Sequence, residues 1–346
     1  MNAEFSRILV RAPNWLGDAV MCLAALRALR ASFPQAHIAL QARRWVAGLY
    51  ARERFVDRIL PCPAATSGVR FLRDRWRAAG DLRKERFDCA VLLPNSFESA
   101  LLVRMAGIPR RIGYNRDGRG LLLTDPVPRP KPGEIPKHER FYYLELLRRA
   151  GILKEPNPRD GTDLDAAPEA RLAGSRRFGD LGVREPVVGV SPGAAFGGAK
   201  RWLPESFAEA AAELAGSGTV AVFGSKAEAC IGEVVANWLR RRGVAVFNFA
   251  GQTTLEEFID LAAACRVFLT NDSGAMHVAA ALGVPTVAVF GATDEEATGP
   301  AGRAVRVVRE PVECSPCLLR ECPTDHRCMT RVSAGRVARA ALELLK

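Results

Sequence analysis

The sequence predicts an α/β protein made of two doubly wound parallel sheets, one in each half of the chain. Three observations lead to this prediction. The chain has 346 residues, enough for two domains of roughly 150 residues each. Short apolar runs alternate with segments of helical periodicity, which is the pattern of parallel strands covered by helices. The alternation stops in a Pro-, Asp- and Gly-rich stretch, residues 155–169, and then restarts.

In the first half, the predicted strands are residues 7–12, 37–41, 59–61, 88–93 and 111–114. The predicted helices are residues 18–33, 70–84 and 97–105. This segment forms a predicted N-terminal Rossmann-like domain over residues 1–160.

In the second half, the predicted strands are residues 187–191, 220–224, 245–249, 267–270 and 286–290. The predicted helices are residues 204–216, 227–241, 255–265 and 274–282. They form a predicted C-terminal Rossmann-like domain over residues 170–330, followed by a helix within residues 331–346.

Composition and charge limit the class of protein and its partners. Hydrophobic residues make up 48% and charged residues 25% of the chain, as in ordinary globular proteins. No apolar run approaches the ~18 residues of a membrane span, and residues 1–11 lack the pattern of a signal peptide, so we expect a cytoplasmic protein. Residues 1–150 hold 27 Lys and Arg against 14 Asp and Glu, whereas residues 151–346 hold 22 against 24. The basic half indicates an anionic partner or an arginine-rich composition.

We expect the ligand-binding and catalytic residues in the loops after the strands, because open α/β sheets bind ligands beyond the carboxyl ends of their strands. The first strand is followed by Asn14, Trp15, Leu16, Gly17 and Asp18. Asp18 stands where the next helix begins. It is therefore either a helix cap or a general base.

A second loop, residues 191–202, holds three glycines followed by the cations Lys200 and Arg201. Its amide groups and ammonium can receive phosphate oxygens. It is not a Walker A loop, because no Ser or Thr follows Lys200. Ser191 matches a nucleophile-elbow pattern, but Pro192 has no N–H for an oxyanion hole.

A third loop, residues 270–277, runs from a strand into a helix. Asp272, Ser273 and Gly274 occupy the helix start, where N–H groups and the helix dipole favour a diphosphate. His277 follows about one turn later, either as a ligand contact or as a core histidine. Both phosphate-type loops lie in the second half, which indicates a nucleotide-diphosphate domain. The half lacks G-x-G-x-x-G, which argues against a nicotinamide or flavin cofactor.

Four of the nine cysteines lie close together in the sequence near the C-terminus: Cys314, Cys317, Cys322 and Cys328, with His326 between the last two. The C-x-x-C start is typical of zinc sites, but no second C-x-x-C follows. A structural Zn²⁺ and reduced thiols that pack a loop are both open interpretations. Stable disulfides are disfavoured in the cytoplasm.

Five ordered motifs resemble the ADP-heptose:lipopolysaccharide heptosyltransferases of glycosyltransferase family nine. They are residues 14–18, 93–97, 192–202, 223–225 and 271–277, and the resemblance covers nearly the whole chain. It implies a GT-B architecture, with two Rossmann-like domains facing a cleft, and a C-terminal helix packed back on the N-terminal domain. It also implies inverting transfer of L-glycero-D-manno-heptose from ADP-heptose to the lipopolysaccharide inner core, with no cofactor or catalytic metal required.

The resemblance and the three loops together give a set of expected roles. Asp18 is the expected base, and Lys200 is expected to receive the charge of the leaving diphosphate. The expected donor-binding residues are Ser191, Gly193, Lys200, Arg201, Gly224, Glu228, Asp272, Ser273, Gly274 and His277. The expected acceptor-binding residues are Asn14, Trp15, Asn95, Ser96, Arg110 and Arg111.

The expected partners are ADP-heptose, the inner-core acceptor and the cytoplasmic face of the inner membrane, with no nucleic acid. An amphipathic segment at residues 70–86 is compatible with an interfacial helix or with a solvated one. Three alternatives stay open: heptosyltransferase I or another heptosyltransferase of the family, a GT-B-like sugar-nucleotide epimerase that needs no acceptor, and a basic nucleic-acid-binding module. The last lacks any helix-turn-helix, RRM or KH signature.

Overall fold

The computed structural model describes residues 5–63, 68–155 and 161–346. The chain divides into two units, Met1–Gly161 and Thr162–Lys346. The division falls inside the stretch predicted as a linker, of which residues 156–160 lie outside the described part. The end of that stretch is helical rather than a linker, since a helix begins at Ala167 with a proline in its first turn.

The first unit is a Rossmann-like sheet covered by helices. Its strands are β1 (Arg7–Arg11), β2 (His37–Ala42), β3 (Arg58–Pro61), β4 (Cys89–Leu92), β5 (Arg110–Tyr114) and β6 (Asp125–Val127). Its helices are α1 (Leu16–Met21), α2 (Leu23–Ser32), α3 (Arg44–Ala47), α4 (Gly68–Lys84), α5 (Phe97–Met105) and α6 (Arg140–Arg149). The strands pair in parallel in the order β3-β2-β1-β4-β5-β6, which is the doubly wound order.

The second unit repeats this architecture. Its strands are β7 (Val187–Ser191), β8 (Thr219–Val222), β9 (Ala245–Asn248), β10 (Val267–Asn271), β11 (Thr286–Phe290) and β12 (Val305–Arg309). Its helices are α7 (Ala167–Asp180), α8 (Pro204–Ala215), α9 (Ala229–Arg240), α10 (Leu255–Ala263), α11 (Gly274–Ala281), α12 (Glu295–Thr298), α13 (Arg327–Thr330) and α14 (Ala334–Leu344). The parallel order is β12-β11-β10-β7-β8-β9.

The predicted fold class is confirmed in both units. The central strands were recognisable because they are buried on both faces: all five residues of β7, of β10 and of β11 are buried. Two strands, β6 and β12, were not predicted. Each is an edge strand: β6 pairs with β5 in the first sheet, and β12 pairs with β11 in the second. Their residues are partly exposed, so they lack the continuous apolar run on which the prediction relied.

The sheet topology places the three predicted loops at two switch points. In the first sheet, β1 pairs with β4 and Arg11 lies opposite Leu92. In the second sheet, β7 pairs with β10 and Ser191 lies opposite Thr270. Strand order reverses at each of these pairs, and a crevice opens there at the carboxyl edge. The loops after β1 and β4 are therefore neighbours, as are those after β7 and β10.

The core of the second unit includes the C-terminal helix. Val337, Ala338 and Ala341 of α14 are fully buried in one cluster with Trp202 and Phe207. The helix packs on α8, β11 and β12. β12 and α8 thus supply the apolar surface that covers this buried face within the second unit. The expectation that the C-terminal helix packs back on the N-terminal domain stays a prediction.

Within the described residues, no helix has both the length and the apolar composition needed to span a membrane.

Candidate active site

An ion pair joins two neighbouring loops of the second unit. Lys200 Nζ lies 2.6 Å from Asp272 Oδ2, and the Thr293 hydroxyl donates to the same oxygen at 2.5 Å. Asp272 is buried, and the Lys200 ammonium also lies 4.8 Å from the centroid of the Phe196 ring. An ammonium has three N–H donors, so Lys200 can keep this pair and still contact an anion.

Asn271 holds the glycine-rich loop at both ends. Its fully buried side chain donates from Nδ2 to the carbonyls of Pro192 and Gly193, at 2.8 and 3.3 Å, and its Oδ1 accepts from the Trp202 N–H at 2.8 Å. The loop that carries Lys200 is therefore fixed to the end of β10. Because the amide is buried, replacing it would leave several polar groups without partners.

The start of α11 presents backbone N–H groups beside this pair. Ser273 is the N-cap residue, yet its side chain makes no capping hydrogen bond, and its Oγ lies 3.2 Å from Thr270 Oγ1 instead. Gly274 is the first helical residue, and His277 lies one turn later, 5% exposed. An eight-residue helix with N–H groups not capped by the N-cap side chain favours an anion.

Glu228 packs against two of the predicted donor-binding glycines. Its Oε2 accepts from the backbone N–H of Ser225 at 2.8 Å and from the Ser225 hydroxyl at 2.7 Å. A Cβ on Gly193 would lie 2.2 Å from Glu228 Oε1, and a Cβ on Gly224 would lie 3.3 Å from Glu228 Cβ. The structure thus brings these three predicted residues together at the carboxyl edge of the second sheet.

Arg201 and Ser191 complete the predicted donor set. Arg201 donates from Nη2 to the Ala194 carbonyl at 3.3 Å, whereas its buried Nε has no hydrogen-bond partner within the described part of the chain. Ser191 is the last residue of β7 and is buried. An unmatched buried N–H donor next to Lys200 in the chain suits a ligand oxygen.

In the first unit, Asp18 lies in the first turn of α1 and is partly exposed. Two residues at the start of α6, the N-cap residue Glu139 and Tyr143, lie within electrostatic reach of it. Burial, followed by the charge of Asp18, raises the pKa of the Glu139 carboxyl above its ordinary value. The same two causes raise the pKa of Tyr143. Two carboxylates within electrostatic reach of each other are a common setting for proton transfer.

Two exposed tryptophans follow neighbouring strands, Trp15 in the loop after β1 and Trp45 in α3 after β2. Trp15 is 60% exposed and Trp45 is 61% exposed. The Trp45 Nε1–H donates to the Asn14 carbonyl at 2.9 Å, and Arg11 Nη2 lies 3.5 Å from Asn14 Oδ1. Exposed indole rings on an ordered loop are surfaces suited to sugar or lipid contact.

The loop after β4 holds Asn95 and Ser96 next to a buried arginine. Asn95 Nδ2 donates to the Tyr142 hydroxyl at 3.0 Å, and Ser96 caps α5. Arg119 is fully buried and donates to the Tyr114 carbonyl at 2.8 Å, to Ser99 Oγ at 3.2 Å and to Asn95 Oδ1 at 3.4 Å. Burial lowers the pKa of Arg119 to about 10.

Arg110 and Arg111 are not brought to this edge. They are the first residues of β5, at the amino end of the strand, so they lie at the opposite edge of the sheet. Arg110 pairs with Asp125, and Arg111 donates to the carbonyls of Leu122 and Ile108 at 2.8 and 2.6 Å. We therefore remove both from the expected acceptor-binding set.

Similarity to known proteins identifies the family. The family model described as glycosyltransferase family 9 (heptosyltransferase) matches residues 75–327. The chain belongs to glycosyltransferase family 9. It is similar to lipopolysaccharide heptosyltransferase 2 of Escherichia coli K12, with 36% identity over 309 residues that cover 88% of each chain.

Two further matches support the family assignment. Lipooligosaccharide heptosyltransferase 2 of Haemophilus influenzae is 34% identical over 310 residues, covering 87% of this chain and 88% of its own. Among solved structures, the E. coli ADP-heptose lipopolysaccharide heptosyltransferase II has a TM-score of 0.82 at 33% identity, covering 98% of each chain. The chain is therefore a glycosyltransferase with the GT-B type of fold.

Several residues that shape the two candidate sites were not predicted from the sequence. They are Asn271, Thr293, Glu139 and Trp45. Asn271 was predicted only as a member of the motif at residues 271–277, with no role of its own. The others lie outside the five motifs, and only the tertiary structure places them near the candidate sites. For Asn271, Thr293 and Trp45 the available signal was a polar or aromatic side chain at or just after a strand end. Glu139 gave no such signal, because it is the N-cap residue of α6 and follows no strand directly.

The cysteine-rich segment, residues 314–328, touches the Lys200 loop directly. The Ala199 N–H donates to the Arg320 carbonyl at 2.9 Å, and the Gly198 N–H donates to Glu321 Oε1 at 3.0 Å. His326 Nε2 lies 3.0 Å from the Ala199 carbonyl, so this nitrogen carries the proton. A Cβ on Gly197 would lie 2.2 Å from the Arg320 carbonyl oxygen. The segment therefore supports the loop that presents Lys200.

The four thiols of this segment are near one another. Burial, followed by the charges of Cys322, Cys314 and Cys317, raises the pKa of Cys328. The Thr324 hydroxyl, together with backbone N–H groups, lowers the pKa of Cys322. None of the four forms a disulfide.

Proposed function

We propose that this glycosyltransferase is lipopolysaccharide heptosyltransferase II. It transfers L-glycero-D-manno-heptose from ADP-heptose to heptosyl-Kdo2-lipid A, with inversion and without a catalytic metal ion. The observation that carries the proposal is the Lys200–Asp272 pair at the uncapped start of α11. The names of the relatives that match most of the chain support the choice of acceptor.

The second unit binds the donor in this proposal. The diphosphate lies at the start of α11, where Lys200 and Arg201 add positive charge to the helix dipole. As the bond between the heptose C1 and the phosphate oxygen breaks, negative charge develops on ADP. A fixed ammonium and fixed N–H groups stabilise that charge without reorganisation, which is the task a divalent metal performs in other transferases. Glu228 is the proposed contact to the adenosine ribose.

The first unit binds the acceptor. Asp18 removes the proton of the acceptor hydroxyl, the oxygen forms a bond to the heptose C1, and ADP leaves from the opposite face. Trp15 and Trp45 are the proposed sugar contacts, and Asn95 and Ser96 line the neighbouring loop. The charge distribution agrees with this role, because inner-core phosphates and Kdo carboxylates are attracted to a basic half.

Contact with the cytoplasmic face of the inner membrane is part of the proposal. Trp76 of α4 is 63% exposed on a helix with a basic composition, which suits an anionic interface. Phe71 and Leu72 are two further apolar residues of this helix, and their side chains lie outside the described part of the chain. A vesicle cosedimentation assay with anionic lipid, comparing wild type with Trp76→Ala, tests this point.

The decisive experiment measures ADP release from ADP-heptose with heptosyl-Kdo2-lipid A, with Kdo2-lipid A and with no acceptor. The proposal predicts release only with heptosyl-Kdo2-lipid A. It also predicts that Asp18→Asn lowers turnover about 10²–10⁴-fold while ADP affinity is kept. Asp81→Asn, a change at an exposed residue of α4, is the matched control.

Three other results would contradict the proposed acceptor, the proposed reaction or the proposed enzyme activity, respectively. Release with Kdo2-lipid A instead indicates a first heptosyltransferase. Conversion of ADP-heptose without an acceptor indicates an epimerase. Absence of any turnover, together with salt-dependent binding of DNA or RNA, favours the nucleic-acid alternative.

A further inference from the structure

One small cavity in the second unit is lined by thiols. Its volume is about 80 Å³, and all four clustered cysteines, Cys314, Cys317, Cys322 and Cys328, contribute to its wall. His326 and Arg327 line it as well. Nothing in the proposed heptosyl transfer uses these thiols, so the cavity requires a separate explanation.

We propose that these four cysteines bind one structural Zn²⁺. Zn²⁺ takes four thiolates in a tetrahedron in sites of this kind, with Zn–S distances of about 2.3 Å. In residues 5–63, 68–155 and 161–346, no three His, Cys, Asp or Glu side chains are already grouped as metal ligands. The proposal therefore requires the thiols to turn toward the shared cavity as they lose their protons and take up the ion.

The cavity wall supplies the electrostatic balance for such a site. Four thiolates and one Zn²⁺ carry a net charge of −2, and binding releases the four thiol protons to solvent. Arg327 lies on the same wall, and Arg320 is in the same segment with its guanidinium 5.3 Å from the Phe196 ring centroid. These cations offset the negative charge of the ion and its ligands.

His326 supports the site without being one of the four ligands. Its Nε2–H donates to the Ala199 carbonyl, which ties the segment to the Lys200 loop. Ser315 Oγ and the Leu318 N–H donate to the carbonyls of Gly291 and Ala292, at 2.6 and 2.8 Å. The segment thus touches the loop of Lys200 and the loop next to Thr293, and an ion inside it would hold both loops in place.

The first test is the metal content of the purified 346-residue chain, measured by inductively coupled plasma mass spectrometry after expression with added zinc and extensive dialysis. We expect close to one zinc per chain. Cys314→Ser with Cys317→Ser should lose it, whereas Cys230→Ser, at an exposed cysteine outside the cavity, should keep it. No substrate is needed, so the result is independent of whether the chain transfers heptose.

A second test uses the wild type alone, so it does not depend on whether the variants fold. Co²⁺ exchanged into the chain should give the intense thiolate-to-cobalt absorption of a tetrahedral site. Removal of the ion should speed hydrogen exchange at the Gly198 and Ala199 amides, which donate to the segment. Zinc far below one per chain, stoichiometric iron in place of zinc, or zinc unchanged in the double variant would each overturn the proposal.

Discussion

Lys200 and Asp272 form a direct ion pair, 2.6 Å from Nζ to Oδ2, between loops that follow two neighbouring strands. Residues far apart in the chain therefore meet at the switch point of the second sheet, where β7 and β10 pair. Asp272 fixes the ammonium in the position from which, in the proposed function, it contacts the diphosphate. The ion pair therefore both positions Lys200 and adds positive charge to the site, and substitutions of Lys200 and of Thr293 test these two effects separately.

Replacing Lys200 by Met should weaken ADP binding. The change removes a charge-assisted hydrogen bond to the diphosphate, which is worth about 2 kcal/mol, or roughly 30-fold in affinity. It also leaves the buried Asp272 carboxylate without its cation, so the melting temperature should fall. Isothermal titration with ADP measures the effect, and Lys84→Met in the first unit is the control. ADP affinity within two-fold of wild type would contradict the role of Lys200.

Thr293 should act through Asp272 rather than on the substrate itself. Thr293→Val removes the hydroxyl that donates to Asp272 Oδ2 but keeps the shape of the side chain. We expect a loss of about 1 kcal/mol of transition-state stabilisation, seen mainly as a lower kcat. Thr293→Ser restores the hydroxyl and should recover most of the rate. If Val and Ser behave alike, the hydroxyl does not position Asp272.

Gly193→Ala should disturb the Glu228 contact. The new Cβ would lie 2.2 Å from Glu228 Oε1, so the carboxylate must move away from its present place. We expect a several-fold rise in the Kd for ADP with little change in the melting temperature, since the clash falls on the end of a side chain. Gly335→Ala, where a Cβ would meet no atom within 4 Å, is the matched control. Unchanged ADP affinity would show that Glu228 is not a donor contact.

Glu139 should give the first unit a measurable pH dependence. Its pKa in the folded state is raised above the ordinary value of 4.5, so folding favours its protonated form. The stability it contributes is fully present below pH 4.5 and is lost as pH rises through the folded pKa. Glu139→Gln should therefore flatten the fall in unfolding free energy with rising pH, as measured by urea denaturation. A pH profile of stability that is the same in Glu139→Gln as in wild type would contradict this role of Glu139.

Arg119→Met should destabilise the first unit and displace the Asn95 loop. The substitution keeps an unbranched chain but leaves the Tyr114 carbonyl, Ser99 Oγ and Asn95 Oδ1 without their donor. Buried acceptors that lose a charged partner cost about 3 kcal/mol in total. Chemical denaturation gives the magnitude. Arg54→Met, at an exposed residue of the same unit, should shift stability by less than about 0.5 kcal/mol.

The amino-acid sequence by itself determined the fold class, the number of units and the loops in which the candidate sites lie. Buried parallel strands such as β7 and β11 have continuous apolar sequences, and Asp18, Lys200 and Asp272 lie in the segments that connect a strand to the next helix or at the start of that helix. Local patterns are sufficient here, because parallel strands place their carboxyl ends at one edge of the sheet.

Only the tertiary structure decided which of these residues meet. In the second unit, Lys200 pairs with Asp272 and α14 packs into the core. In the first unit, Glu139 lies within electrostatic reach of Asp18. Arg110 and Arg111 lie at the amino end of β5, which is the edge of the sheet opposite to the candidate site. These outcomes depend on contacts between distant parts of the chain. Strand order, register and the burial of a particular side chain set such contacts, and none of the three is encoded in the spacing of a single motif.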